Sequence, residues 1–165
     1  MNTLFTKERF NTKVLVRQAL IAAMYVAMTL SMGDYAFGPI QFRYSEILNL
    51  LAFLNPIHAI GITLGVFISN FWSTLGIYDL IFGTLHTAIS MFFIIKSKNI
   101  IVASLWPTVF SFIIGYELSA LAGFGGFWIM TGQVMLSEFI IMTIISVPVY
   151  SLLQKNSGFL KLVKE

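Results

Sequence analysis

Long apolar stretches alternate along the chain with short segments that contain charged residues, proline or glycine. These boundaries predict six helices, at residues 14–33, 43–55, 57–73, 78–95, 100–122 and 126–153. A helix needs about 20 residues to cross a bilayer, so the second and third helices are short. A rival interpretation fuses residues 43–73 into one long helix. Asn55 followed by Pro56 indicates a break instead, because the residue before a proline is pushed away from helical geometry.

The positions of the basic residues favour six helices over five. Nine of them cluster before the first helix, between the fourth and fifth helices, and at the C-terminal end: Lys7, Arg9, Lys13, Arg17, Lys96, Lys98, Lys155, Lys161 and Lys164. Six spans place all three clusters on one side of the membrane, and cytoplasmic segments are enriched in lysine and arginine. We therefore predict an all-α, integral membrane bundle of six transmembrane helices, a single domain over residues 1–165, with both termini cytoplasmic.

The composition supports a membrane location and limits the chemistry. Hydrophobic residues make up 58% of the chain, charged residues 10%, and the mean hydropathy is +0.86, which does not fit a soluble domain of 165 residues. Cysteine is absent and the two histidines are far apart in sequence, so we predict no metal site and no cofactor. The basic residues lie at helix ends and form no continuous patch, so no nucleic-acid partner is expected.

Five charged residues lie inside the apolar stretches or at their edges: Arg43, Glu46, Asp79, Glu117 and Glu138. A charge near the bilayer centre costs at least about 2.5–3.5 kcal/mol on insertion scales, so such residues mark functional sites. In the six-span topology they lie in the outer half of the membrane, with Glu138 the deepest. Four carboxylates against one arginine predict a ligand that is cationic or rich in hydrogen-bond donors.

A structural alternative remains open for two of these residues. Arg43 and Glu46 are three positions apart and can pair with each other, while Asp79 can cap the N-terminus of its own helix. Glu117 and Glu138 have no basic neighbour in their own helices, which favours a role in binding a ligand.

The first helix carries a strip of small residues. Ala19, Ala23 and Ala27 recur at every fourth position, which lets another helix approach closely. The strip either packs inside this chain or docks on a partner, and spacing does not distinguish the two.

Several motifs together resemble a known family. They are QFRYSEIL at residues 41–48, GIYDLIFG at 76–83 and GYEL at 115–118, accompanied by Pro56, Gly61, Gly65, Asn70 and the helix of Glu138. This set is similar to the QueT-type queuosine-precursor transporters, the substrate-binding S-components of energy-coupling factor (ECF) transporters, and it covers most of the chain. The sequence departs from the family pattern at Ala52, His86 and Ser111, where we expect proline, a small residue and asparagine.

The resemblance implies an architecture and a set of partners. It implies six helices, an outward-facing site under the first external loop, a prokaryotic plasma membrane, and assembly with a transmembrane scaffold subunit and two ATPase subunits. It also implies that the alanine strip contacts the scaffold. The chain has no G-x-x-x-x-G-K-[ST] phosphate loop, which is consistent with an ABC-type importer whose energy comes from other subunits.

The resemblance also implies the ligand, a queuosine precursor such as 7-aminomethyl-7-deazaguanine, or queuine or queuosine. A 7-deazaguanine presents a ring N–H beside an amino group, which a carboxylate accepts as a two-pronged pair, and an ammonium group calls for a second carboxylate. We predict Glu46, Glu117 and Glu138 as acceptors, Asn49 and Gln133 as secondary polar contacts, and Arg43 as a residue that positions Glu46 or the loop. Asp79 and His86 are further candidates for the substrate site. The candidate ring-stacking residues are Phe42, Tyr44, Phe53, Tyr116, Phe127 and Trp128. Alternatives are an S-component for another vitamin or aromatic nutrient and, less favoured because the carboxylates are scattered singly, a small membrane enzyme.

Overall fold

A computed structural model describes residues 11–164, and within this range the chain is helical with no β-strand. The helices are α1 (Thr12–Leu30), α2 (Tyr44–Leu54), α3 (His58–Trp72), α4 (Ile77–Lys96), α5 (Ile100–Leu121), α6 (Phe127–Leu153) and α7 (Ser157–Lys164). The predicted all-α class is confirmed, and each of the six predicted helices corresponds to one of α1–α6.

The apolar helices fall into two length classes. The helices α1, α4, α5 and α6 are long and apolar enough to cross a membrane, whereas α2 and α3 are shorter. Asn55 has an extended backbone, with φ −149° and ψ 114°, and it ends α2 directly before Pro56. The rival interpretation of one continuous helix over residues 43–73 is therefore wrong, for the steric reason that the sequence indicated.

Three helices depart from regular α geometry. Helix α2 begins as a 3₁₀-helix over Tyr44–Asn49. Helix α5 contains Pro107, is interrupted at Ser111 and ends in a π-helical segment over Glu117–Leu121, and α6 contains a π-helical segment over Phe139–Ser146. Such π segments occur frequently at functional sites. Glu117 and Glu138 each lie at a junction between α and π geometry.

Close helix contacts hold the bundle together at glycine positions. A Cβ atom added to Gly65 would lie 2.7 Å from Tyr25 Cβ, and one added to Gly61 would lie 2.7 Å from the carbonyl oxygen of Gln18. The α1 and α3 backbones therefore approach as closely as glycine allows. Tyr25 is fully buried at this crossing, and its hydroxyl points toward the polar site described below.

One end of the bundle is closed by α7. The carbonyl oxygen of Val163 accepts hydrogen bonds from His58 Nε2 at 2.9 Å and from Asn55 Nδ2 at 3.1 Å. Gln18 Nε2 and His58 Nδ1 are 3.2 Å apart, which connects α1 to the same group. The start of α1, the α2–α3 turn and α7 therefore meet at one end, and the polar site lies toward the other.

Candidate functional site

A small polar cavity lies where α2, α4, α5, α6 and the α1–α2 connection meet. Its lining residues are Gln41, Arg43, Glu46, Gly83, His86, Thr87, Ile114, Val134 and Glu138. The volume open to the centre of a water molecule is about 10 Å³, which is close to the space that one water requires. The cavity is thus a polar junction whose walls are nearly in contact.

Arg43 connects three segments of the chain. Its Nε donates to the carbonyl oxygen of Ala36 at 2.6 Å, Nη1 donates to Asn70 Oδ1 at 3.1 Å, and Nη2 lies 3.3 Å from Asp79 Oδ1. The second carboxylate oxygen of Asp79 accepts a hydrogen bond from the hydroxyl of Ser73. Arg43 and Asp79 are 5% and 0% exposed. The ion pair therefore joins the α1–α2 connection to the end of α3 and the start of α4.

The local alternative left open by the sequence does not describe this arrangement. The guanidinium of Arg43 makes its ion pair with Asp79, 36 residues away, and not with Glu46, three residues away at the start of α2. The N-terminus of α4 has no side-chain hydrogen bond at its cap, and the carboxylate of Asp79 binds Arg43 and Ser73 instead.

Glu46 is held by donors from its own helix and from α1. Its carboxylate accepts hydrogen bonds from the hydroxyl of Tyr25 and from Asn49 Nδ2. The adjacent Ser45 hydroxyl lies 2.7 Å from Thr29 Oγ1, so a second contact fixes α1 beside this turn. Glu46 therefore has both a defined position and protein donors for its two oxygens.

Glu117 and Glu138 differ from Glu46 because protein donors do not saturate them. Glu117 is fully buried, Glu138 is 6% exposed, and neither Glu117 oxygen nor Glu138 Oε2 has a hydrogen-bond partner within residues 11–164. Glu117 lies within hydrogen-bonding reach of the Asp79 carboxylate, and Glu138 lies near Glu46, but an ionised carboxylate neighbour offers acceptors and no donor. Burying a polar group without a partner costs about 1–3 kcal/mol, and more for a charge. These oxygens are therefore available to donors that the described part of the chain does not supply.

His86 and Ser111 meet at one backbone carbonyl. The Pro107 oxygen accepts from His86 Nε2 and from the Ser111 hydroxyl, each at 3.0 Å. This carbonyl is accessible because α5 is interrupted at Ser111, whose own N–H bonds to Thr108. His86 and Ser111, two of the three departures from the family pattern, therefore contact the same atom. This hydrogen bond holds the His86 side chain at the cavity wall.

The structure brings together seven of the predicted site residues: Arg43, Glu46, Asn49, Asp79, His86, Glu117 and Glu138. It does not bring Gln133, Tyr44 or Trp128 into the cavity. Gln133 is exposed because five residues of an α-helix turn it about 140° away from Glu138. Trp128 is 81% exposed and contacts Phe127 without covering the cavity. Tyr44 is 37% exposed, with its hydroxyl 2.5 Å from Ser31 Oγ.

The predicted ring-stacking surface is also absent from the cavity lining. None of the six aromatic residues proposed from the sequence, Phe42, Tyr44, Phe53, Tyr116, Phe127 and Trp128, is among the residues that line it. Sequence reasoning instead missed Gln41, Thr87, Ile114 and Val134 as lining residues. A signal existed for two of them, because Gln41 opens the QFRYSEIL motif and Thr87 follows Gly83 by four positions on α4.

The alanine strip lies on the opposite face of α1 from the α3 contact. Ala19, Ala23 and Ala27 are exposed, whereas Ala22 and Tyr25 on the same helix are buried. The strip therefore faces away from the interior of this chain.

Four long apolar helices and the buried acidic site define the class, a multi-pass membrane protein with an enclosed polar site. The profile of the family described as QueT transporter matches residues 15–155, and the chain belongs to this family of membrane transporters. This confirms the family that the motifs indicated.

The chain is also similar to an individual curated protein, "Queuosine precursor transporter QueT" of Lactococcus lactis subsp. cremoris (strain MG1363). The two are 43% identical over 84 residues, which cover 50% of this chain and 49% of that relative. The chain thus matches about half the length of this curated relative. No solved structure matches the chain.

Proposed function

We propose that this chain is the substrate-binding membrane subunit of an ECF-type ABC importer and that it takes up a queuosine precursor of the 7-deazaguanine class. One observation carries the ligand class. Four buried carboxylates surround one arginine, and Glu117 and Glu138 keep oxygens without a hydrogen-bond partner in the described chain. A ligand with several N–H donors supplies what these oxygens lack.

The two unsaturated carboxylates suit different ends of a 7-aminomethyl-7-deazaguanine. Glu138 lines the cavity beside Glu46 and can accept the ring N–H and the amino group as a two-pronged pair. Glu117 lies about one turn beyond Ile114 and near Asp79, where local negative charge favours an ammonium group. This assignment extends the sequence prediction, which left the orientation of the ligand open.

Ligand binding requires the site to widen. Pockets for small ligands usually enclose about 300–1,000 Å³, whereas this cavity measures about 10 Å³. The α1–α2 connection is the segment best connected to the cavity, because Gln41 lines it and the Ala36 carbonyl holds Arg43. We propose that this connection and the outer ends of α5 and α6 move apart when ligand enters.

The alternative ligand class is another vitamin or an aromatic nutrient. A flavin or aromatic amino acid buries a large apolar ring, and such sites are lined mainly by apolar and aromatic groups. Here the lining contains three charged side chains, Arg43, Glu46 and Glu138, and the candidate aromatic residues lie outside it. This lining favours a compact heterocycle with many polar atoms.

Equilibrium binding to the purified subunit tests the ligand. We expect 7-aminomethyl-7-deazaguanine or a close analogue to bind in the absence of other subunits, and riboflavin and tryptophan not to bind. If riboflavin or tryptophan binds and no deazaguanine does, the proposed substrate is wrong, while the family assignment still holds.

The proposed topology has six spans with both termini in the cytoplasm. It is supported by the three basic clusters, which six spans would place on one side, and by the contact of α7 with the start of α1 at one end of the bundle. The chain contains no cysteine, so single cysteines can be introduced at Ser97, Ser157 and Gly38. We expect the first two to react with an impermeant thiol reagent only from inside and the third only from outside. Labelling of positions 97 and 157 from opposite sides would eliminate the topology.

The proposed partners are a transmembrane scaffold subunit and two ATPase subunits. The exposed alanine strip supports this, because small residues on a lipid-facing surface allow another helix to approach closely. We expect the double variant Ala19→Leu with Ala23→Leu to bind ligand normally and to lose co-purification with the ATPase module. Ala88→Leu, an exposed alanine on α4, is the matched control and should retain both properties. Parallel loss of binding and of complex in the double variant would contradict docking through the strip.

A further inference from the structure

Gln41, at the end of the α1–α2 connection, has an unusual backbone. Its φ is 51°, and among residues 11–164 it is the only non-glycine residue with a positive φ. Left-handed geometry is unfavourable for a residue with a Cβ, because the Cβ crowds the backbone. Two bonds hold it there, one from its own N–H to the Gly38 carbonyl at 3.0 Å and one from Ser137 Oγ to its carbonyl at 3.4 Å. Local strain of this kind concentrates at ligand sites.

The side chain of Gln41 enters the cavity without a protein partner. The residue is 95% buried, since only 5% of its surface is exposed, and it lines the cavity with Glu46 and Glu138. Its Nε2 is buried and makes no hydrogen bond to any residue in the range 11–164. The strained backbone therefore aims a buried amide at the same space as the unsaturated oxygen of Glu138.

The cavity has many acceptors and few uncommitted donors. The Arg43 guanidinium is bound to Ala36, Asn70 and Asp79, and His86 Nε2 is bound to the Pro107 carbonyl. Among the lining side chains, the Gln41 amide and the Thr87 hydroxyl remain as neutral donors. A terminal amide can present either its oxygen or its nitrogen, and the surrounding carboxylates favour the nitrogen. Arg43, which lines the cavity, makes three hydrogen bonds with its five N–H groups and so also keeps two donors. A ligand carbonyl in this site therefore meets Gln41, Thr87 or Arg43.

We propose that Gln41 determines specificity by donating a hydrogen bond to the 6-oxo oxygen of a bound 7-deazaguanine, beside the carboxylate that accepts its ring N–H. The assignment rests on the proposed function and adds a residue and a ligand atom to it. In this ligand class the 6-oxo group, the ring N–H and the 2-amino group follow one another along one edge. An amide beside a carboxylate complements that sequence of acceptor, donor, donor. A 6-amino purine reverses the first two positions and leaves buried groups unpaired, which a polar site rejects strongly.

A ligand pair isolates this contact. The 6-thioxo analogue of 7-aminomethyl-7-deazaguanine keeps the ring N–H and both amino groups but offers sulfur, a much weaker acceptor. Dissociation constants of both ligands are measured for the unaltered protein, Gln41→Met, Thr87→Val and Gln133→Met. Methionine is unbranched and close in size to glutamine, so in Gln41→Met the cost of the left-handed backbone at position 41 should be nearly the same. Gln133→Met makes the same chemical change at an exposed position outside the cavity.

The ratio of the two dissociation constants distinguishes the outcomes. We expect the unaltered protein and Gln133→Met to prefer the oxo ligand by roughly tenfold, and Gln41→Met to lose that preference through weaker binding of the oxo ligand. An unchanged ratio in Gln41→Met, or loss of the ratio in Thr87→Val in its place, overturns the role of Gln41. Failure of the unaltered protein to bind either ligand overturns the proposed function, and this assignment with it.

Discussion

Two pairs of acids in the same polar site have different surroundings. Asp79 and Glu46 are each held by protein donors, Asp79 by Arg43 and Ser73, and Glu46 by Tyr25 and Asn49. Glu117 and Glu138 are as deeply buried, yet they retain oxygens with no partner in the described chain. Similar burial therefore does not imply a similar role. The saturated acids connect helices, and the unsaturated acids are the ones available to a ligand.

This comparison predicts opposite effects on folding and on binding. Removing the partner of a saturated acid should leave a buried charge uncompensated and reduce stability. Neutralising an unsaturated acid should relieve a buried charge and reduce ligand affinity instead. Each variant below tests one side of the comparison.

The largest effect is expected for Arg43→Met. Loss of the guanidinium leaves Asp79 buried with Ser73 alone and releases the Ala36 carbonyl, so the free energy of unfolding should fall by about 3–5 kcal/mol. Thermal unfolding in detergent measures this. The double variant Arg43→Met with Asp79→Leu removes both charges and should recover much of the loss. A single variant as stable as the unaltered protein would show that the pair does not connect these helices.

Glu138→Gln should reduce binding and spare folding. We expect the affinity for 7-aminomethyl-7-deazaguanine to fall by about 3 kcal/mol, more than a hundredfold, because a charge-assisted pair is lost. Thermal unfolding without ligand should be unchanged or occur at higher temperature. Asp34→Asn makes the same carboxylate-to-amide change at an exposed position and should alter neither property. Unchanged affinity in Glu46→Gln, Glu117→Gln and Glu138→Gln alike would reject the acidic site.

Gly115→Ala should affect both properties to an intermediate degree. An added Cβ atom would lie 2.8 Å from Thr131 Cα, so α5 and α6 must separate and the free energy of unfolding should fall by about 1–3 kcal/mol. The added methyl group sets a fixed spacing between the helices of Glu117 and Glu138, which then cannot close around the ligand, so ligand affinity should fall as well. Gly132→Ala, whose Cβ has open space around it, is the control for both measurements. Equal behaviour of the two variants would mean that this contact does not set the spacing of the acids.

The smallest effect is expected for Tyr25→Phe. The variant removes the hydroxyl that donates to Glu46 and keeps the buried ring, while Asn49 still binds the carboxylate. We expect a loss of about 1 kcal/mol in the free energy of unfolding, as is typical for one hydrogen bond. Tyr44→Phe removes a hydroxyl that binds Ser31 near the surface and should cost less. A loss above 3 kcal/mol in Tyr25→Phe would show that Glu46 depends on this donor far more than the comparison implies.

The sequence alone determined the helices and much of the acidic set. Apolar runs and their boundaries are local properties, so all six predicted helices are present and the break at Asn55 is where the proline places it. Arg43, Glu46, Asp79, Glu117 and Glu138 could be selected because charge is rare in apolar segments, and all five are buried. The exposure of the alanine strip was one of two outcomes that its spacing allowed.

Tertiary structure decided which of these residues meet. Arg43 pairs with Asp79 across 36 positions and Tyr25 reaches Glu46 across 21, and no helical period relates such distant residues. Gln133 was predicted to contact the ligand but lies outside the cavity. Although it is close to Glu138 in sequence, the helix turns its side chain toward a different face. Gln41 enters the cavity through a left-handed backbone that the contacts of Gly38 and Ser137 hold. Pairing, orientation and unsatisfied groups depend on neighbours brought together by folding, which is why only the assembled bundle separates structural acids from those open to a ligand.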